Sequence, residues 1–140
     1  MSLMMDKAAL TRFLNEAFTQ VAADFEIEEV AENRIRTRLL TAERHLRPGG
    51  TVSGPSMFAL ADVSVYLAIL AMIGPRALAV TTNCAIDFMR KPAAGADLLC
   101  ECRLLKLGRV LAVGDCLLYS EGLEAPVARA SMTYSIPPER

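Results

Sequence analysis

The sequence predicts an α+β domain in which one antiparallel sheet curls around a central apolar helix. Two observations predict it. The stretch from Met57 to Ile73 is apolar nearly all round, interrupted chiefly by Asp62. A helix of that kind is buried on every side or lies in a membrane. The apolar period on either side of it is two, in two short runs before and four longer runs after, as in strands with one covered face.

The elements follow in order. Asp6 to Ala23 reads as an amphipathic helix, with Leu10, Phe13, Leu14, Ala17, Phe18 and Val21 at helical spacing and Asp6 as its N-cap. Phe25 to Val30 and Arg34 to Thr41 read as short strands turning at Glu32-Asn33. In the second, Arg34, Arg36 and Arg38 share one face, read as solvated, with attraction of an anionic ligand as the minor alternative. Leu46 to Pro55 is a Gly- and Pro-rich loop that ends in a helix start, with Ser53 as N-cap and Pro55 in the first turn. The apolar helix, about Ser56 to Ile73, stops at Gly74-Pro75. It is at the short limit for a membrane span and carries Asp62, so a helix wrapped by a sheet fits better. The later strands are Leu78 to Met89, Ala96 to Leu107, Arg109 to Ser120 and Ala125 to Ile136, read as an antiparallel meander. A sheet that closes around one helix in this way is the hot-dog fold.

Bulk properties narrow the function. A length of 140 residues suits one domain, spanning residues 6–140, and residues 1–5 are set aside as an added or disordered start. A net charge of -1 with scattered Lys and Arg leaves no footprint for nucleic acid. No secretory signal is visible, so a cytoplasmic location is expected. Cys84, Cys100, Cys102 and Cys116 form no C-x-x-C pair and lie in apolar runs, which reads as reduced core thiols. No metal and no cofactor is expected.

Two places carry chemistry. Asp62 lies mid-helix in the most apolar part of the chain, where an unpaired charge is costly. An exposed helix face or a structural hydrogen bond would also account for it. The junction Ser53-Gly54-Pro55 presents a helix N-terminus whose free N–H groups can hold an oxyanion, although a capped helix start is the commoner meaning. Gly54 and Asp62 are eight residues apart, about 12 Å along a helix at ~1.5 Å per residue. One subunit therefore does not easily bring both to one carbonyl. Two helices antiparallel across a two-fold axis do, which makes a homodimer part of the expected mechanism. Thr81, Thr82 and Asn83, at the start of the strand after the helix, are candidates to orient water or the Asp62 carboxylate, against plain β-propensity.

The order and spacing of these residues resemble the PaaI-like hot-dog thioesterases. The likeness runs from Leu46 to Ile136: Gly49-Gly50, Ser53-Gly54-Pro55, Leu60-Ala61-Asp62, Ala79-Val80-Thr81-Thr82, Ile86-Asp87-Phe88-Met89-Arg90, Pro92, Gly95, Gly108-Arg109, and Ala128 through Thr133-Tyr134. The resemblance implies acyl-CoA hydrolysis. In it the Gly54 N–H polarises the thioester carbonyl, Asp62 acts as general base or nucleophile, and Thr81 positions water. Ser53, Pro55, Thr82 and Asn83 border the substrate, and Arg90 and Lys91 lie near the CoA phosphates. It also implies a homodimer, often doubled to a tetramer. The chain departs from the family pattern at Ser53, where the family has His, at Pro55, where it has Gly, and at Arg47, where Asn is common. A hydratase or dehydratase and a non-catalytic acyl-CoA sensor are the rival readings. His45, the only histidine, falls outside the expected helix junction, which argues against the first.

Overall fold

The structure, a computed structural model, describes residues 2–138. Its elements are helix α1 (Lys7–Ala17), strands β1 (Phe25–Ala31) and β2 (Arg34–Leu39), helix α2 (Gly54–Ile73), and strands β3 (Val80–Phe88), β4 (Leu98–Leu107), β5 (Leu111–Ser120) and β6 (Ala128–Ser135). Single 3₁₀ turns cover Ala22–Asp24 and Glu43–His45.

α1 is shorter than its periodicity predicts. Asp6 caps it, accepting from the Ala9 N–H at 2.9 Å, but Phe18 leaves helical geometry and its N–H closes the last turn on the Leu14 carbonyl. The Phe18 ring instead packs edge-on against Tyr66 with centroids 5.4 Å apart. A tertiary contact ends this helix, without a Gly or Pro.

The six strands form one antiparallel sheet in the order β1-β2-β4-β5-β6-β3. Only β4-β5-β6 is the expected meander. β3 crosses over to pair with β6, while β2 pairs with β4. The crossing follows from α2, which separates β2 from β3 in the chain and lies across the sheet's inner face, so its two neighbours in sequence end at opposite sides. β3 is thereby a terminal strand, and most of its residues are exposed. Cys84 on it is exposed too, whereas Cys100, Cys102 and Cys116 are buried core thiols as expected.

α2 passes the length and hydropathy test for a membrane span, with mean hydropathy 2.0, yet 67% of that window is buried inside this chain. It is a core helix. Its one fully buried hydroxyl, Ser64, bonds the Leu60 carbonyl and the Thr37 hydroxyl, each at 2.6 Å, so that group is fully met. Pro75 has no N–H to return to the Ala71 carbonyl, and the N–H groups of Met4 and Met5 take that acceptor at 2.7 and 3.1 Å. Residues 4 and 5 are thus tied to the domain.

The arginine face of β2 is not simply solvated. Arg38 holds Glu28, Asp97 and Glu121 at 2.7, 3.0 and 2.9 Å, which pins the first hairpin to the ends of β4 and β5. The partners come from three segments, so alternation along β2 alone could not reveal them.

Gly114 marks the closest approach of sheet to helix. A Cβ there would sit 2.9 Å from a methyl of Val65, a fully buried residue. Gly114→Ala is therefore expected to cost about 1–3 kcal/mol by overpacking. Adding Val65→Ala should return part of it, read as a positive coupling in urea denaturation. Additive losses would mean that the two do not compete for space.

Candidate active site

Helix α2 aims Asp62 at the terminal strand. Asp62 Oδ1 accepts from the Thr81 hydroxyl at 2.5 Å and from the Tyr134 hydroxyl at 2.7 Å, and the same Tyr134 hydroxyl reaches the Asp62 carbonyl at 3.0 Å. Thr81 and Tyr134 are direct cross-strand partners. Side chains in such a pair stand about 5 Å apart on one face, which lets both meet one oxygen. The ladder then shifts: Asn83 pairs with Thr133, and Thr82 is the extra residue of a bulge. The bulge keeps Thr81 facing inward, while Thr82 and Asn83 are exposed, the Thr82 hydroxyl resting on the Thr133 carbonyl at 3.3 Å.

Burial, followed by the nearby Asp62 charge, pushes the Tyr134 phenol above its usual range. Tyr134 therefore stays protonated and acts as a donor. Sequence reasoning misses this role. The closing Thr133-Tyr134 pair of the family pattern is the available signal, but the contact spans 72 residues.

Asp62 borders a cavity of about 520 Å³. Its walls are mainly apolar, including Phe18, Phe58, Val63, Tyr66 and Val80. Met57, on the same helix, is buried in the core and does not border the cavity.

The helix start lies elsewhere. Ser53 caps it, its hydroxyl accepting from the Ser56 N–H at 3.3 Å, while the Met57 N–H bonds the Ser53 carbonyl. Pro55 has no N–H. Among the described residues, the Gly54 N–H alone in this first turn is left without a partner. The Phe88 ring covers Gly54, and a Cβ there would stand 3.1 Å from it. Arg90, whose guanidinium bonds the Pro126 carbonyl at 2.7 Å, and Lys91 follow Phe88 in the chain. One chain thus holds two separate groups: Asp62, Thr81 and Tyr134 at the start of β3, and Gly54 with Phe88 near its end.

His45 corrects an expectation. It lies against the helix junction, because the loop between folds back: Leu46 bridges Val52, the Arg47 N–H meets the Thr51 carbonyl at 2.9 Å, and the Ser53 N–H bonds the His45 carbonyl at 2.8 Å. The buried ring borders the same cavity as Asp62. Its Nδ1 accepts from the Ala42 N–H at 2.9 Å. Its Nε2 stands 3.3 Å from Asp24 Oδ2, an ion-pair separation too poorly aligned for a full hydrogen bond. Asp24 also pairs with Arg44. Burial raises the Asp24 carboxyl, but the Arg44 guanidinium and the facing His45 ring outweigh it and hold it below its ordinary value. Among the described residues no cluster of His, Cys, Asp or Glu has the form of a metal site.

A curved antiparallel sheet closed on one apolar helix, with a carboxylate fixed at a cavity beside that helix, defines a hot-dog enzyme of the thioester-hydrolase class. Residues 49–127 match the model of the Thioesterase superfamily, and the chain belongs to that family. It is similar to a protein assigned as a thioesterase from Silicibacter sp. TM1040, with 64% identity over 99% of this chain and 96% of that chain and a TM-score of 0.93. It is similar to a variant of the phenylacetic acid degradation protein PaaI from Thermus thermophilus, with 27% identity over 84% of this chain and 97% of that one and a TM-score of 0.72. A hypothetical thioesterase from Streptococcus pneumoniae, solved with coenzyme A, shares the fold at 18% identity, over 93% of this chain and 98% of that one, with a TM-score of 0.77. A search of curated proteins returned no match.

The lowered Asp24 carboxyl has a measurable consequence. A group depressed in the folded state adds stability above its unfolded value and loses it as pH falls through the folded one. The stability gap between the wild type and Asp24→Asn should be full at neutral pH and shrink once pH drops below the ordinary carboxyl value of 3.8. Urea denaturation at several pH values reads it. A gap that stays constant into acid would show that the Asp24 charge contributes nothing.

Proposed function

We propose that the protein hydrolyses acyl-CoA thioesters to the free acid and CoA, at two identical sites of a homodimer. The observation that carries the proposal is the Asp62 carboxylate, held by two hydroxyl donors at the mouth of an apolar cavity. The coenzyme A bound by the Streptococcus protein supports the ligand class.

The acyl group occupies the cavity, and the thioester carbonyl oxygen accepts from the Gly54 N–H of the other subunit. Asp62 takes a proton from water as the water oxygen bonds to the carbonyl carbon. The resulting oxyanion is stabilised by the Gly54 N–H and the positive end of α2. Collapse breaks the C–S bond, and the thiolate of CoA leaves, receiving the proton from Asp62. Direct attack by Asp62 would form an anhydride that water then opens, with the same products. Thr81 and Tyr134 leave one carboxylate oxygen committed and the other free, which orients the base.

The dimer has support in the edge strand. β3 offers an unpaired backbone edge and exposes Val80 and Phe88. Thr81 and Phe88 are seven residues apart, about 23 Å at ~3.3 Å per residue. A second copy pairing antiparallel along β3 sets each Phe88 end, with its Gly54, against the partner's Thr81 end, with its Asp62. Arg90 and Lys91 then border the partner's site and meet the CoA phosphates, with Ser53, Pro55, Thr82 and Asn83 along the path. Two such dimers form the tetramer. Four unpaired thiols suit a cytoplasmic setting.

A panel of acyl-CoAs tests this by thiol release. Asp62→Asn should lower kcat by about 10²-fold or more while the protein stays folded. Full activity in that variant would sink the mechanism, and saturable binding without thiol release would mark a binding protein instead. Sedimentation should find a dimer, and Val80→Lys, which places a charge on the β3 edge, should shift it toward monomer with parallel loss of activity. An active monomer would overturn the shared site.

A further inference from the structure

The Gly54 N–H can stabilise an oxyanion only if its direction is fixed, and the loop before it is poorly built to fix it. Gly49 and Gly50 lie at φ +103° and +83°, and Pro48 precedes them. Glycine-rich backbone has much freedom to lose. The loop ties itself together through the Leu46–Val52 bridge and the Arg47 N–H on the Thr51 carbonyl, and the bond that fixes its exit into α2 runs to His45.

We propose that His45 is the positioning residue of the oxyanion turn, holding Ser53 and hence the Gly54 N–H in register through a ring braced on Asp24 and Ala42. The proposal rests on the thioesterase reading for its kinetic consequence but not for its geometry. The His45 carbonyl accepts from the Ser53 N–H at 2.8 Å, one residue before Gly54. Any residue supplies a carbonyl, so the ring decides where that carbonyl lies. One ring nitrogen receives the Ala42 N–H at 2.9 Å, and the other faces Asp24 at 3.3 Å. Asp24 is itself anchored, its carbonyl accepting from the Leu40 N–H at 2.8 Å and its carboxylate pairing with Arg44. A continuous set of contacts therefore runs from the turn at Ala22–Asp24, through His45, to Ser53, the N-cap of α2.

Nδ1 is engaged by the Ala42 N–H, and Nε2, shielded from solvent, faces the Asp24 carboxylate. His45 therefore does not meet the substrate as an acid or base. It acts on the reaction through Gly54. Loss of its hold should disturb the transition state, where the oxyanion develops, more than ground-state binding. Misplacing one oxyanion donor is expected to lower kcat by between about tenfold and a hundredfold, with KM kept within about twofold.

The test compares His45→Leu, which fills the space without polar contacts, with His45→Asn, which keeps an acceptor near Nδ1 for the Ala42 N–H. The expected order of kcat is wild type, then Asn, then Leu, at temperatures where both variants are folded by circular dichroism. The Gly54 amide signal in a ¹H–¹⁵N spectrum should shift in both variants, and further in Leu. If the wild type cleaves no acyl-CoA, the thioesterase reading falls, and the Gly54 signal still decides the positioning claim. An unmoved Gly54 amide overturns the proposal whatever the kinetics. So does a raised KM with unchanged kcat, which would make His45 a wall of the acyl cavity. If the Leu variant does not fold, the Asn variant alone decides by the same two readouts.

Discussion

A helix of 20 residues with no polar face loses free energy wherever it meets water, at roughly 1.5–3 kcal/mol for each large apolar side chain left uncovered. The sheet curls because α2 must be covered, and β3 ends beyond β6 because the chain emerges from α2 on the far side of that cover. Gly114 is where cover and helix touch most closely. Beside Asp62, residues of β3 and β6 (Val80, Thr81 and Tyr134) and the segment bearing Phe18 and Val21 together line the cavity. The cavity is what remains between that cover and the helix.

Polar groups on such a helix persist only where partners reach them. Ser64 is met by Thr37 and its own helix, and Asp62 by Thr81 and Tyr134. The difference between them is chemical. Ser64 is enclosed and inert, whereas Asp62 is half-buried with a cavity before it. Gly54, at the other end of the same helix, has the opposite polarity, and among the described residues its N–H has no partner. In the proposed mechanism, base and oxyanion donor are thus carried by one rigid rod, about 12 Å apart along its axis.

Local pattern carries much of this. The limits of α2 are legible because Ser53, Pro55 and Gly74 punctuate it, and Asp62 is legible because a charge inside an apolar run has to be explained. What local pattern does not carry is pairing at long range. Nothing in β3 names β6 as its neighbour, so periodicity alone draws too simple a meander and buries Cys84. The contact from Tyr134 to Asp62 depends on that pairing. His45 is misplaced for a related reason: sequence spacing measures its distance from Ser53 along the chain, whereas the loop returns on itself. Alternation puts Arg38 on the right face, but its three acidic partners arrive from other segments.

The carbonyl of Ala71, orphaned by Pro75, is completed by the backbone amides of Met4 and Met5. The rod that bears Asp62 is therefore finished at its far end by the short segment that leads into α1. An insertion within that segment would act as a lever on the rod, whereas a change upstream of Met4 would leave its closure intact.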